Sequence, residues 1–148
     1  PDGTLTRGQL VTILHRMAGS PAATKAAPFT DEASGRYFTE AVSWAYETGI
    51  AKGISDTTFA PNAAVTREQL VTFLARYAKY QGMDVSTQGA LTGYPDATTV
   101  SDFALDSMTW AVEQELIKGI DGKLAPLGTA TRAQIATVIQ RYYQIDSK

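Results

Sequence analysis

Three segments of the chain carry apolar residues with the spacing of a wide, buried helical stripe. In each, apolar positions fall at i, i+1, i+3, i+4, i+7 and i+8. The stripes consist of Leu10, Val11, Ile13, Leu14, Met17 and Ala18; Leu70, Val71, Phe73, Leu74, Tyr77 and Ala78; and Ile135, Ala136, Val138, Ile139, Tyr142 and Tyr143. Three such faces can bury one another, so the pattern predicts a central bundle of three helices.

The start of each predicted helix is marked by the same four-residue pattern, Thr-Arg-x-Gln. It occurs at residues 6–9, 66–69 and 131–134. A threonine followed three residues later by glutamine is a capping box, in which the two side chains satisfy each other's unpaired backbone amides. We therefore expect a structural role for these threonines and glutamines.

The chain also repeats itself between these helices. A second helix is predicted around 38–48 and again around 103–116. Further matched strings are Phe29-Thr30-Asp31 with Tyr94-Pro95-Asp96, Lys52-Gly53-Ile54 with Lys118-Gly119-Ile120, and Phe59-Ala60-Pro61 with Leu124-Ala125-Pro126. The order predicts the second half of a repeat at 1–19, followed by whole repeats at 28–80 and 93–145. We expect them to form one all-α domain over residues 1–148.

Three arginines occupy an unusual place in these helices. Arg7, Arg67 and Arg132 stand at the first helical position, where the helix dipole makes a cation mildly unfavourable. An arginine beside free helix-start amides suits a carboxylate ligand, and this hypothesis requires accessible guanidinium groups. A salt bridge to an acidic residue of a neighbouring repeat explains the arginines equally well, and the sequence leaves both open.

Six further residues recur at matched positions of the two whole repeats. They are Trp44, Trp110, Gly53, Gly119, Asp31 and Asp96. A tryptophan at helical spacing is more typical of a core than of a ligand platform. The glycines follow a helix end and are expected to adopt positive φ in a turn. The aspartates precede a helix, where they can cap it or contact a ligand, and a structural role is favoured.

Composition excludes several classes of function. The net charge is −2 and cysteine is absent, so a nucleic-acid partner, disulfides and thiolate metal sites are not expected. No calcium loop or catalytic motif occurs, and the single histidine, His15, is expected at the surface or an edge. The chain has no run of 18 apolar residues and so no predicted membrane insertion. We predict a binding module without metal or cofactor, not an enzyme.

The combination of these patterns resembles the S-layer homology domain. The shared order is F-x-D, a helix with Trp-Ala, K-G-I, F-x-P, four residues and T-R-x-Q, over nearly the whole chain. The resemblance implies a pseudo-threefold, three-pronged helical domain that anchors a secreted protein at the bacterial cell surface, in the cell wall or S-layer. The implied ligand is secondary cell-wall polysaccharide carrying a pyruvylated amino sugar, bound in grooves between repeats.

Within that resemblance, the arginines of the three Thr-Arg motifs contribute to carboxylate binding and the six recurrent residues form groove walls. The implied ligand-binding set is Arg7, Arg67, Arg132, Trp44, Trp110, Asp31, Asp96, Gly53 and Gly119. The chain departs from the family in having glutamine where Thr-Arg-Ala-Glu is common, and in lacking the front half of its first repeat. Because one groove then lacks a wall, the number of ligand-binding sites is left open.

The sequence leaves an alternative function open, and the incomplete repeat carries one further expectation. The alternative function is a structural or protein-interaction module that keeps the repeat fold without glycan binding. We also expect apolar surface on the first helix, around Leu10 and Leu14, to be covered by a second chain, by a segment outside these residues, or by the connector at 81–93.

Overall fold

The computed structural model describes residues 3–29, 38–55, 57–91 and 93–146 of the chain. The described part is helical and contains isolated β-bridges but no extended strand, which confirms the all-α prediction. The helices are α1 (Arg7–Met17), α2 (Thr39–Glu47), α3 (Arg67–Tyr80), α4 (Leu105–Glu113) and α5 (Arg132–Asp146). Two 3₁₀ turns, Ala97–Thr99 and Asp102–Ala104, precede α4. This helix is shorter than predicted because the second turn takes its first residues and Glu115, with positive φ, follows its end.

The capping boxes predicted at the three Thr-Arg motifs are confirmed. In α1, Gln9 N donates to Thr6 Oγ1 at 3.1 Å, and Thr6 N donates back to Gln9 Oε1 at 2.8 Å. The same reciprocal pair begins α3 and α5. Each pair satisfies two amides that a helix start otherwise leaves without partners, and so fixes where the helix begins.

The chain divides into two compact units, and each joins the Thr-Arg helix of one repeat to the front half of the next. The N-terminal unit is Leu5–Val65, in which α1 packs on α2. The C-terminal unit comprises the described residues from Thr66 onward with Gly3 and Thr4, and here α3 packs on α4. We call α2 with its following turn, 39–61, the α2 lobe, and the equivalent 105–126 the α4 lobe.

The core of the N-terminal unit corrects two predictions. Leu10 and Leu14 are fully buried. The prediction that a second chain, an outside segment or the connector at 81–93 is needed to cover them is wrong. The α2 lobe, which belongs to the following repeat, packs against this helix. His15 is also buried: its ring lies 5.1 Å from that of Trp44, and its Nε2 donates to Pro21 O at 2.7 Å. The expectation of a surface or edge histidine is therefore wrong.

The C-terminal unit buries its two apolar stripes unequally. All six stripe positions of α3 are buried. In α5, Ile135, Val138 and Tyr142 are buried, whereas Ala136 and Tyr143 are exposed. Tyr142 packs its ring on Tyr77 with 5.9 Å between centroids. The two stripes have the same period, so their different burial reflects what lies against each helix.

Both lobe helices end on a residue with positive φ. Gly49 follows α2 with φ +81°, and Glu115 stands at the equivalent position after α4 with φ 60°. A residue other than glycine is disfavoured in this region because its Cβ crowds the backbone. At this position the α4 lobe therefore carries local strain that the α2 lobe avoids.

Candidate functional site

Arg67 is a buried clamp on the α4 lobe. Its Nε donates to Leu124 O at 2.8 Å and its Nη2 to Lys118 O at 3.2 Å. The side chain is 4% exposed, and burial lowers the pKa of Arg67 while the charge of Asp96 opposes that shift. The prediction of an accessible guanidinium is wrong here. Backbone carbonyls of a turn 51 to 57 residues away accept its hydrogen bonds, an arrangement that neither sequence hypothesis included.

Arg7 holds the α2 lobe in the same way. Its Nε donates to Phe59 O at 2.8 Å and its Nη2 to Lys52 O at 3.1 Å. The guanidinium also lies over the Phe59 ring, 4.7 Å from its centroid. The acceptors in the two lobes are equivalent residues, so the arginine, the turn and the helix start form one repeated structural unit.

Arg132 differs from both. Its side chain is exposed, which confirms the predicted accessibility for this arginine. Its backbone N–H donates to Gly3 O at 2.7 Å, matching the bonds from Arg67 N to Gly128 O and from Arg7 N to Ala63 O. The helix start is thus engaged as in the other two copies, while the guanidinium is left in solvent.

Asp96 stabilises the turn that Arg67 clamps. Its two carboxylate oxygens accept from Leu124 N and Ala125 N, both at 2.9 Å. The amide of Leu124 is the strongest cause of a lowered pKa for Asp96, and nearby Lys123 contributes. Asp96 therefore has the structural role that the sequence favoured. Its counterpart Asp31 lies outside the described residues.

Acid should weaken this turn through Asp96. A carboxyl whose pKa is lowered on folding contributes stability that is present above its unfolded pKa, 3.8 for this group, and lost as pH falls through the lower folded value. We expect the stability difference between the wild type and Asp96→Asn, measured by urea unfolding, to be largest near neutral pH and to shrink below about pH 4. A difference that is independent of pH from 7 to 2.5 would contradict this role.

The two tryptophans lie in the cores of their units. Trp44 and Trp110 are each 1% exposed, so their ring faces do not line an open groove in this structure. This placement agrees with the core role that helical spacing favoured. It also explains why both repeats keep the residue, because a buried indole fills the largest single volume in each lobe.

Gly53 and Gly119 are required for a different reason from the one predicted. Neither has positive φ; among the described glycines that conformation belongs to Gly19, Gly49, Gly82 and Gly122. A Cβ on Gly53 would overlap the Phe29 ring and the carbonyl oxygens of Ser55 and Thr58. A Cβ on Gly119 would lie 3.1 Å from Lys123 O. Close approach of the backbone, not φ, excludes a side chain at Gly53 and disfavours one at Gly119.

A cationic cavity of about 280 Å³ lies in the C-terminal unit beside this clamp. Its polar lining residues are Arg67, Lys118, Gln134, Thr137 and Arg141. Arg67 approaches from α3, Lys118 from the α4 lobe and the other three from α5. The lining includes three cations and no carboxylate among the described residues, and Leu116 and Ile120 supply apolar surface. This cavity can accept a small anion that also carries an apolar group.

Lys118 and Arg141 are site candidates that the sequence analysis did not single out. The side chain of Lys118 is exposed, and Arg141 Nη1 donates to Leu116 O at 3.2 Å. The sequence nevertheless contains a recurring pattern at both residues. Each whole repeat keeps the lysine, and an arginine recurs nine residues after each Thr-Arg arginine, at Arg16, Arg76 and Arg141.

A second, larger cleft of about 860 Å³ lies in the N-terminal unit. Its lining includes Phe29, Tyr46, Glu47, Lys52 and Gly53. The Glu47 carboxylate accepts hydrogen bonds from the backbone amides of Thr24 and Lys25 in the preceding connector. These bonds lower the pKa of Glu47. The cleft therefore has mixed charge, and its carboxylate is engaged in holding the connector.

Two classes of site are not seen in the described ranges. No helix there is long and apolar enough to cross a membrane. No group of three histidine, cysteine or acidic side chains is arranged there to hold a metal ion.

The chain matches a known family over most of its length. The model of the S-layer homology domain matches residues 28–71 and 93–136. These segments include both lobes and the starts of α3 and α5, and therefore the Arg67 clamp and part of the cationic cavity.

Three curated relatives show the kinds of protein in which similar segments occur. An endoglucanase of Bacillus sp. (strain KSM-635) is 35% identical over 94% of this chain and 15% of its own length. An amylopullulanase of Thermoanaerobacterium thermosulfurigenes is 29% identical over 94% of the chain and 8% of its own. The surface-layer 125 kDa protein of Lysinibacillus sphaericus is 32% identical over 76% and 10%. The chain thus spans a small part of each relative.

Proposed function

Because the chain belongs to the S-layer homology domain family, a family of cell-wall anchoring modules, we propose that it binds secondary cell-wall polysaccharide through the cationic cavity. Its place is the bacterial cell surface, and relatives named as enzymes match it over only a small share of their length. The catalytic activities in those names are therefore not assigned to this chain. Its function is attachment.

The observation that carries the proposal is the charge of the cavity. Lys118 and Arg141 present cationic groups beside the buried Arg67, with no carboxylate among the described lining residues to neutralise them. A pyruvylated amino sugar offers a carboxylate to these cations and a ketal methyl group to Leu116 and Ile120. Gln134 and Thr137 add amide and hydroxyl groups suited to sugar hydroxyls. The volume is near the lower end of ligand clefts, roughly 300–1,000 Å³.

We also propose that the three repeats form one pseudo-threefold domain around a central bundle of α1, α3 and α5. Three equivalent backbone bonds support this. The backbone N–H of each Thr-Arg arginine donates to the carbonyl oxygen of the residue two positions after a repeat proline. These acceptors are Ala63, Gly128 and Gly3. Gly3 therefore serves the last helix as Ala63 and Gly128 serve the first two. In this proposal the repeats occupy 1–19, 28–80 and 93–145, as the sequence predicts.

The burial of Arg7 and Arg67 favours a second candidate function. Arginines that are engaged by backbone carbonyls are fully accounted for by structure, as expected of an interaction module without glycan binding. The two candidate functions differ in the role that they give to Lys118 and Arg141 of the cavity. If Lys118 and Arg141 bind no wall polymer, the repeat fold alone explains the sequence pattern.

Lys118→Ala tests the proposal because it separates binding from stability. Arg67 uses only the backbone carbonyl of Lys118, so the exposed side chain can be removed with little effect on the melting temperature. Loss of one charge-assisted contact to a carboxylate should weaken sedimentation with purified cell walls by about tenfold or more. Lys79→Ala, at an exposed lysine of α3 outside the cavity lining, is the matched control.

The outcomes distinguish the two candidates. Wall binding that is lost on removing pyruvate from the walls, and weakened by Lys118→Ala but not by Lys79→Ala, supports the cavity as the glycan site. Unchanged wall binding by Lys118→Ala and Arg141→Ala places the glycan elsewhere. A wild-type protein that does not sediment with pyruvylated walls supports the interaction module.

A further inference from the structure

Glu68 is a buried carboxylate that the proposed wall-binding site does not use. It follows Arg67 in the Thr-Arg-x-Gln motif and is 3% exposed. Its carboxylate accepts from Ser101 N at 2.9 Å and from Ser101 Oγ at 2.6 Å, just before α4. A carboxylate is tolerated in a buried place only where hydrogen-bond donors satisfy it. Glu68 is therefore matched to the segment that leads into α4.

The equivalent residue of α1 is Gly8, which has a different neighbour. A Cβ at Gly8 would lie 3.1 Å from Phe38 Cδ2 and 3.1 Å from Pro61 O. The backbone N–H of Gly8 donates to that same carbonyl oxygen at 2.8 Å. Phe38 is buried and is the residue directly before α2. Glycine weakens a helix relative to alanine, and here the ring and the carbonyl take the space that a side chain would need.

The residue directly before the lobe helix differs in size between the two units. Phe38 precedes α2 and Ala104 precedes α4, each six residues ahead of the buried tryptophan. Ala104 is completely buried, and α3 packs on the 3₁₀ turn that contains it. The N-terminal unit thus pairs a small helix residue with a large one, whereas the C-terminal unit pairs a large helix residue with a segment that carries a small one.

The arginine clamp does not distinguish the two lobes. Arg7 and Arg67 each donate to two backbone carbonyls at equivalent places of the turn that follows the lobe helix. Every residue carries the same backbone carbonyl, so either arginine could hold either lobe. Selection between the lobes requires side chains that differ, and the residues after the two arginines differ in both size and charge.

We propose that the x residue of Thr-Arg-x-Gln is a pairing determinant, by which each helix accepts its own lobe and rejects the other. Against α3, the α2 lobe would bring the Phe38 ring to the Glu68 carboxylate. Against α1, the α4 lobe would leave a void between Ala104 and Gly8. Both mismatches are destabilising, because an unsatisfied buried charge and an unfilled core volume each cost stability. This inference does not depend on wall binding.

The test copies the α1 arrangement into the C-terminal unit. Ala104→Phe alone should lower the melting temperature by about 5–10 °C, because a ring enters space that is already filled. Glu68→Gly alone should also lower it, because the donors of Ser101 lose their acceptor and α3 gains a glycine. In the double variant the two changes should compensate each other, and we expect it to melt above both single variants.

Glu68→Gln is the matched control, because it removes the charge and keeps the size of the side chain. Combined with Ala104→Phe, it should give no recovery. Losses that simply add in the double variant of Glu68→Gly and Ala104→Phe would overturn the proposal, and so would an equal recovery with glutamine. Where Ala104→Phe does not fold, Ala104→Leu in the same two backgrounds gives the comparison, with the same expected order of melting temperatures.

Discussion

Replacing Arg67 with alanine is expected to lower the free energy of unfolding by about 3 kcal/mol. The substitution leaves the carbonyls of Leu124 and Lys118 without their donors and opens a cavity where a side chain 4% exposed had been. Hydrogen bonds to a charged group contribute about 1.5–3 kcal/mol, and an unfilled site adds to the loss. Urea unfolding monitored by circular dichroism would measure the change.

Arg132→Ala is the matched control for this prediction. Its guanidinium is exposed and lies at the same position of an equivalent helix, so its removal should change the free energy of unfolding by less than about 0.5 kcal/mol. Lysine at position 67 should restore only part of the loss, because one ammonium does not reproduce the fork that spans both carbonyls. Equal effects at positions 67 and 132 would show that burial of the arginine is not what matters.

Gly53→Ala is expected to be the most damaging single change in the N-terminal unit, at about 3 kcal/mol or more. The added methyl group would overlap two backbone carbonyl oxygens, of Ser55 and Thr58, and the Phe29 ring. Backbone atoms cannot move aside as a flexible side chain can, so the loop that presents Lys52 O to Arg7 must shift. Overpacking of this kind typically costs about 1–3 kcal/mol, and the lost clamp adds to it.

Alanine substitutions at two other glycines provide a comparison for the stability loss of Gly53→Ala, measured by thermal unfolding. Gly119→Ala should cost less, since the nearest atoms to its Cβ are 3.1 Å away and a small adjustment suffices. Gly49→Ala should cost about 1 kcal/mol, because that position has positive φ but open space around its Cβ. If Gly49→Ala were more harmful than Gly53→Ala, backbone conformation and not close packing would govern these turns.

The Arg67 clamp also explains why that residue is a poor probe of wall binding. Its loss disturbs the turn that carries Lys118, so binding and stability would fall together. Arginine at the helix start organises the cavity wall, whereas in the proposed site the exposed Lys118 and the partly exposed Arg141 supply charge to the ligand. Variants at position 118 are therefore more informative about function than variants of the Thr-Arg motif.

Local features of the fold could be predicted because they depend on residues close in sequence. The capping boxes at Thr6, Thr66 and Thr131 require only a threonine and a glutamine three residues apart, and all three form. The apolar periods located α1, α3 and α5 to within a few residues. The repeats identified the family, because several weak patterns recurred in one order.

The partner of each element could not be predicted, because it depends on contacts between residues about 50 positions apart. Arg7, Arg67 and Arg132 share the Thr-Arg-x-Gln motif, yet the first two are buried by a lobe and the third is exposed. Gly53 follows a helix end like a turn glycine. Glycine is required there because the nearby Phe29 ring and two carbonyl oxygens leave no space for a Cβ atom. Periodicity and caps specify the register of a helix along the chain, whereas burial depends on which lobe packs against it.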